Sequence, residues 1–377
     1  MIPRLLKPLK DKSFFLFGPR GTGKTTWVKK QFPRATVLDL LKESTFQELL
    51  RNPSQLETFI TGEREPIIID EIQRIPSLLN EVHRLIEEQK LQFILTGSSA
   101  RKLRKQGVNL LAGRARNLYM FPLTAVELAH QFDLAKSLDL GHLPSAYFET
   151  DPKEYLKSYI GNYLQEEVQK EALVKDLATF SRFLEIAAFS QTSVLSYSTI
   201  ARDVGVDPKS IENYFSILED LLIAVRLPVF QKKAKRKTTT HPKFYFFDVG
   251  VYRTLRRKGP LDPIEHIEGP ALETLFFQEL RATISLFKKE LSLYFWRTIN
   301  QQEVDFIAYG EDGFFAFEVF RSSRIRSEDL LSLELFLEDF PSAQTYVIYG
   351  GTEERQFGKI RALPFERALR TLPELLC

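Results

Sequence analysis

Gly18-Pro19-Arg20-Gly21-Thr22-Gly23-Lys24-Thr25 is the stretch that decides the fold. It follows the apolar run Phe14-Phe15-Leu16-Phe17 and opens a helical stretch over 26–31, so a GxxxxGK[ST] loop stands in a strand–loop–helix setting. Glycines let backbone N–H groups turn inward around phosphate oxygens, and the helix N-terminus adds its partial positive charge. Gly18, Pro19, Arg20, Gly21, Thr22, Gly23, Lys24, Thr25 and Thr26 are therefore the expected nucleotide-binding residues. Lys24 is expected to reach the β- and γ-phosphates of ATP, and Thr25 to ligate Mg²⁺. A glycine turn that binds nothing is the bland alternative.

Pro66-Ile67-Ile68-Ile69-Asp70-Glu71 supplies the partner motif. A β-branched run ending in two acids reads as a buried parallel strand that delivers carboxylates at its C-terminal edge. Asp70 is expected to hold Mg²⁺, directly or through water, and Glu71 to polarise the attacking water as general base. The competing reading of Glu71 is the start of an exposed turn. Gln92-Phe93-Ile94-Leu95-Thr96-Gly97-Ser98-Ser99 reads as the next strand, and Thr96 or Ser98 could bond the lytic water or the γ-phosphate; a plain turn competes with that. In Leu111-Ala112-Gly113-Arg114-Ala115-Arg116, Arg114 is the candidate transition-state arginine, with a surface arginine as the alternative. If Arg114 acts from a neighbouring subunit, catalysis needs a homo-oligomer.

Thr36–Asp39 and 117–120 add strands, and 77–89 is a helix with Leu78, Leu79, Val82, Leu85 and Ile86 on one face. This alternation predicts an α/β fold, a parallel sheet with helices on both faces. Ligands in such sheets sit at the C-terminal strand ends, where every residue above except Arg114 should fall.

The remaining bulk properties set limits. The chain has 377 residues, enough for two or three domains. Its formal net charge of +3 neither demands nor excludes nucleic acid, so a basic signal must be local. The one cysteine, Cys377, permits no intramolecular disulfide or cysteine zinc cluster, which fits a reducing cytoplasm. No apolar run approaches membrane-spanning length, and the histidines show no metal-ligand spacing.

Loop signals over 133–144 end the first domain, and 153–174 reads as a charged amphipathic helix. A helix carrying Phe183, Leu184, Ile186, Ala187 and Phe189 follows, then a short helix over 198–203. Asp207 caps a third helix with Pro208 at its first position. Strand-like 222–230, a basic tip and strand-like 244–247 complete a winged helix-turn-helix pattern. Lys232, Lys233, Lys235, Arg236 and Lys237 at the tip would meet DNA phosphates without sequence preference. The third helix, however, exposes Glu212, Glu219 and Asp220, acids that would face phosphates in a major groove. Base reading, nonspecific contact through the tip, and a structural or subunit-contact module all stay open.

The C-terminal third holds a helix over 268–285 with Glu273, a strand over 293–297, a hairpin from Glu303-Val304-Asp305-Phe306-Ile307-Ala308 to Phe314-Phe315-Ala316-Phe317-Glu318-Val319-Phe320, and a strand at Gln344–Tyr349. A helix acid, Asp305 and Glu318 would bind Mg²⁺ in a metal-dependent nuclease, with a lysine assisting the water. The lysine position is Phe320, whose ring cannot polarise water, and Arg321 points to the opposite face.

With these residues assembled, the chain resembles the prokaryotic family of predicted AAA-type ATPases that carry a C-terminal domain of unknown function. The resemblance rests on GPRGTGKTT, IIIDEIQ, LTGSSARKL, LAGRA, FFDVGV and FWRT…EVDFI, and Gln73 after the acidic pair is characteristic. It implies a P-loop AAA-type ATPase domain over 1–132, a helical and winged-helix region over 133–243, and a restriction-endonuclease-like α/β domain over 244–377. Members often show Glu-Val-Lys where this chain has Glu318-Val319-Phe320, so the last domain is expected to be degenerate. The expected activity is Mg²⁺-dependent ATP hydrolysis in the cytoplasm that moves the C-terminal modules. A nucleotide-gated switch with negligible turnover, or a nuclease using Asp305 and Glu318, is the alternative.

Overall fold

The structure, a computed structural model, describes residues 2–60, 65–99, 111, 113–164, 168, 176–231 and 240–377. The basic tip with Lys232, Lys233, Lys235, Arg236 and Lys237 lies outside the described residues, as do Ala112 and 100–110. Contacts gather into two units, Pro3–Phe121 with Asp220–Leu222, and Pro122–Glu219 with Ile223–Cys377.

In the first unit β1 (Ser13–Phe17), β2 (Thr36–Asp39), β3 (Ile67–Asp70), β4 (Phe93–Gly97) and β5 (Ala115–Tyr119) form one sheet in the order β2-β3-β4-β1-β5. Every pair in it is parallel. Helices α1 (Lys24–Gln31), α2 (Glu43–Arg51) and α3 (Leu78–Gln89) accompany it. The apolar run of β1 lacks alternation because both of its faces are covered. Phe15 and Phe17 join a core with Leu49, Val82 and Leu85. Phe14 turns the other way, its ring centroid 6.5 Å from Trp27 and 6.1 Å from Phe32. Full burial of each such phenyl ring stabilises the fold by about 1.5–3 kcal/mol. The strand order gathers the candidate residues at one edge: β4 separates β1 from β3, so three consecutive C-terminal strand ends carry the glycine loop, Thr96–Ser98 and the acidic pair.

The first half of the second unit includes α4 (Leu134–Leu140) and α5 (Pro152–Ser158). The helix expected over 153–174 changes at Tyr159–Leu164 into π-helical turns that contain Gly161, a residue that weakens α-geometry. Next come α6 (Leu177–Phe189), α7 (Tyr197–Val204) and α8 (Pro208–Asp220). Asp207 precedes α8, and its Oδ1 accepts the Ser210 N–H at 3.0 Å. Ile211, Phe215 and Leu218 form the buried face of α8.

Strands β6 (Ala224–Leu227) and β7 (Lys243–Phe246) pair antiparallel. The first is shorter than the expected 222–230. Leu222 at its start has φ of 60°, and Pro228 after it has no N–H to give a ladder. The expected border at 243–244 falls inside β7. One expectation needs correcting: Glu219 does not stand as a free acid on α8. It accepts the Arg226 guanidinium at 2.9 Å and 2.6 Å, and Ser216 Oγ takes a third bond from the same side chain at 3.0 Å.

The remainder is a mixed six-stranded sheet of β8 (Leu291–Arg297), β9 (Glu303–Gly310), β10 (Gly313–Phe320), β11 (Gln344–Tyr349), β12 (Arg355–Phe357) and β13 (Ile360–Pro364), in the order β12-β13-β11-β10-β9-β8. Helix α9 (Val249–Leu255) leads to the long α10 (Glu265–Leu286), whose Phe276 and Phe277 pack on Phe306 of β9 with centroids 5.7 and 5.8 Å apart. On the opposite face α11 (Ser327–Asp339) sets Phe336 against Trp296 at 5.5 Å. Helix α12 (Phe365–Leu375) closes the chain.

Asp248 starts α9. Its Oδ1 accepts the Gly250 and Val251 N–H groups at 2.9 and 3.2 Å, and its Oδ2 accepts the His142 N–H at 2.7 Å. The Asp and Gly of FFDVGV are thus structural: they join the turn after α4 to the start of α9. Among the described residues no helix is long and apolar enough to cross a membrane.

Candidate nucleotide site

Gly23 precedes α1 with φ of 90°, a left-handed conformation that glycine adopts without strain. That turn aims the first N–H groups of α1 at the loop's centre. Lys24 is buried beneath the loop, its Nζ 2.7 Å from Gly18 O and 3.1 Å from Pro19 O. Thr22 Oγ1 donates to Pro19 O at 2.7 Å and tightens the same turn. Arg20 and Thr26 are exposed, whereas Gly18, Pro19 and Thr22 are buried.

Thr25 Oγ1 donates to Asp70 Oδ2 at 2.9 Å, which brings a hydroxyl and a carboxylate from two motifs together. Two hard oxygen donors at a strand edge fit Mg²⁺, which binds through one or two protein oxygens plus substrate phosphates. Thr96 Oγ1 donates to Asp70 Oδ1 as well and accepts the Glu71 N–H at 3.3 Å, so it braces the acidic pair. Ser98 is buried, with its Oγ 3.1 Å from Gln73 Nε2. Gln73 also donates to Glu71 Oε2. Glu71 itself has φ of 61° and ψ of 45°, an unusual conformation for a residue with a side chain.

Residues 10–129 match the AAA domain family, 132–262 match a domain of unknown function (DUF8612), and 268–368 match a second one (DUF4143). This chain carries an AAA domain at its N-terminus and a DUF4143 domain at its C-terminus. Similar curated proteins include an uncharacterized protein of Mycobacterium tuberculosis, 26% identical over 374 residues, which covers 94% of this chain and 80% of its own. Another, from Methanocaldococcus jannaschii, is 24% identical over 272 residues, 65% of this chain and 59% of its own. Among solved structures, the Orc1 protein of Aeropyrum pernix in complex with DNA is similar at 14% identity over 66% of this chain and 87% of its own. The TM-score of that match is 0.31.

Arg114 stands apart from the other candidate residues. It directly precedes β5, and Ala115 is in register with Ser13 at the start of β1, so Arg114 lies at the N-terminal edge of the sheet. The glycine loop leaves the other edge, about 13 Å away at roughly 3.3 Å per strand residue. On its own side Arg114 pairs with Glu87 of α3.

In the DUF4143 domain the structure does bring Glu273, Asp305 and Glu318 together, and it puts a lysine among them that the sequence reading missed. Lys243 of β7 is 1% exposed, and its ammonium lies 2.9 Å from Glu273 Oε1 and 3.1 Å from Asp305 Oδ1, with Glu303 also in ion-pair contact. Asp305 Oδ2 accepts the Val319 N–H at 3.0 Å. Tyr245 donates its hydroxyl to Glu273. Burial raises the Glu273 carboxyl to about 8, with the Asp305 charge adding to the rise and Lys243 opposing it. Burial and the Asp305 and Glu303 charges raise Glu318 in the same way. The place a divalent cation would take between Glu273, Glu303 and Asp305 is filled by the ammonium, so these residues as arranged do not fit a metal.

Proposed function

We propose that the protein binds ATP with Mg²⁺ in the AAA domain and hydrolyses it, and that the nucleotide state acts on the C-terminal unit. The observation that carries this is the 2.9 Å approach of Thr25 Oγ1 to Asp70, beside Lys24 under the loop and Glu71 at the next position. Mg²⁺ supplies charge neutralisation on the transferred phosphoryl group. The chain's own residues do the rest: Lys24 and the α1 N-terminus bind phosphate oxygens, Thr25 and Asp70 hold the cation, and Glu71 takes a proton from water. Lys24→Ala should abolish phosphate release; unchanged ATP hydrolysis in that variant ends the proposal.

A nucleotide-gated switch with negligible turnover is the second reading. The Glu71 carboxylate already engaged by Gln73 is the observation in its favour. Single-turnover kinetics separates the two: tight ATP binding with phosphate release no faster than the uncatalysed rate supports the switch.

Three helices α6–α8 with the antiparallel pair β6–β7 support the winged-helix reading, and Lys232, Lys233, Lys235, Arg236 and Lys237 between those strands supply local positive charge for DNA. Stimulation of ATP turnover by DNA tests that partner. The nuclease alternative through Asp305 and Glu318 has the Lys243 ammonium against it, and labelled DNA left intact in Mg²⁺ or Mn²⁺ would close it. A cytoplasmic location fits both the need for ATP and the lone Cys377.

A further inference from the structure

Gln73 is 4% exposed at the C-terminal strand edge of the AAA domain, yet the scheme above gives it no task. It sits in the short 3₁₀ turn Ile72–Arg74 that follows β3. The left-handed Glu71 bends the chain sharply enough for residue 73 to come back beside residue 71. The turn is pinned from both sides. Ile72 and Ile75 are buried in the core, and the Arg74 guanidinium lies 4.2 Å from the Phe46 ring while bonding Leu40 O.

The amide can be oriented only one way. Its two N–H groups face acceptors, Glu71 Oε2 and Ser98 Oγ, and a flipped amide would put its oxygen against the Glu71 carboxylate. In this orientation Gln73 Oε1 is buried with no hydrogen-bond partner among the described residues. An orphaned buried acceptor is destabilising, because it has left water without a replacement donor. A glutamine kept only for packing would be replaced by an apolar side chain at no such cost. The backbone of β4 makes room for it: a Cβ on Gly97 would stand 2.7 Å from Gln73 Oε1.

We propose that Gln73 is the positioning residue for Glu71, tying its carboxylate to Ser98 just past the end of β4 so that the base is held at one angle toward the water. This rests on the ATPase reading. One N–H fixes Glu71 Oε2 and with it the angle of the whole carboxylate. The second N–H anchors the amide to Ser98, the residue that leaves β4 between the glycine loop and the acidic pair. Removing an outer-shell partner at a metal site typically costs about 10–100-fold in metal affinity or activity, and a partner that acts only through the base should show its loss in kcat.

The test compares full-length wild type, Gln73→Ala, Gln73→Glu, Gly97→Ala and Lys24→Ala, measuring both kcat for phosphate release and ATP affinity by calorimetry. Gln73→Ala should lower kcat about 10–100-fold while ATP affinity stays within about twofold. Gln73→Glu keeps the size but turns both donors into acceptors, so it should lose at least as much. Gly97→Ala leaves Glu71, Gln73 and Ser98 in place chemically, yet displaces the amide, and should lower kcat by a smaller factor. An unchanged kcat in Gln73→Ala overturns the inference. So does a kcat loss matched by an equal loss of ATP affinity, which is the mark of a merely structural role. Wild-type turnover no faster than Lys24→Ala overturns the ATPase reading and this inference with it; wild-type turnover above Lys24→Ala isolates the result to Gln73.

Discussion

Lys243 Nζ lies 3.1 Å from Asp305 Oδ1, a contact that joins β7 to β9 across 62 positions of sequence. Both groups have left water, and such a pair is tolerable only while each satisfies the other. Lys243→Met keeps much of the volume but strands Glu273, Glu303 and Asp305 beside one another. The variant should lose about 3–5 kcal/mol of stability. Trp296 is buried in this unit and Trp27 in the other, so denaturant unfolding in a Trp27→Phe background reports the C-terminal sheet alone. Because the ammonium already fills the cluster, millimolar Mg²⁺ should leave that transition unchanged in the chain with Lys243 intact.

The same cluster sets a pH dependence. Glu273 titrates near 4.5 when unperturbed and is raised to about 8 in the fold. Between those values the folded state keeps a proton that the unfolded chain gives up. Stability therefore falls as pH rises through the window, and it is fully present below about pH 4.5. The Trp296-reported melting temperature should be lower at pH 8.5 than at pH 6. A melting temperature that rises over this range would contradict the assignment.

Asp248 is buried and holds three backbone N–H groups with two oxygens. Burial raises its carboxyl, and the N–H donors oppose that rise. Asp248→Ala would leave donors unpaired in a dry site, at about 1–3 kcal/mol each. Asp248→Asn keeps only part of the set. Melting temperatures should fall in the order intact chain, Asn, Ala, with ATP affinity of the AAA domain unaffected.

Arg114 at the far edge of the sheet cannot serve the glycine loop of its own chain. If it acts between subunits, specific ATPase activity should rise with protein concentration in the intact chain and stay flat in Arg114→Ala. A loss in the variant that is the same at every concentration would refute the intersubunit role.

Sequence reading reached the strand–loop–helix at 13–31, the acidic strand, and Asp207 with Pro208 because each is fixed by local spacing or by a cap within a few residues. It missed the role of Lys243. Lys243 stands just before the strand read at 244–247, and its burial depends on partners 30 and 62 positions later. Glu219 was misjudged for a related reason. Its helix face looks solvent-directed, but Arg226 returns on β6 to cover it. Gln73 was visible as part of a motif, while its task depends on the left-handed turn at Glu71, which spacing alone does not reveal.

Glu279 carries the widest consequence. Its Oε1 accepts the Ala125 N–H at 2.9 Å and lies 3.0 Å from His142 Nδ1. Those three residues belong to three different matched segments, 10–129, 132–262 and 268–368. All three lie in the second unit, so one carboxylate ties Ala125, the stretch after α4 and helix α10 into a single interior. Cutting the chain between Ala125 and His142 would tear that interior, so a truncation is expected to leave the second unit whole only if it is made near Phe121.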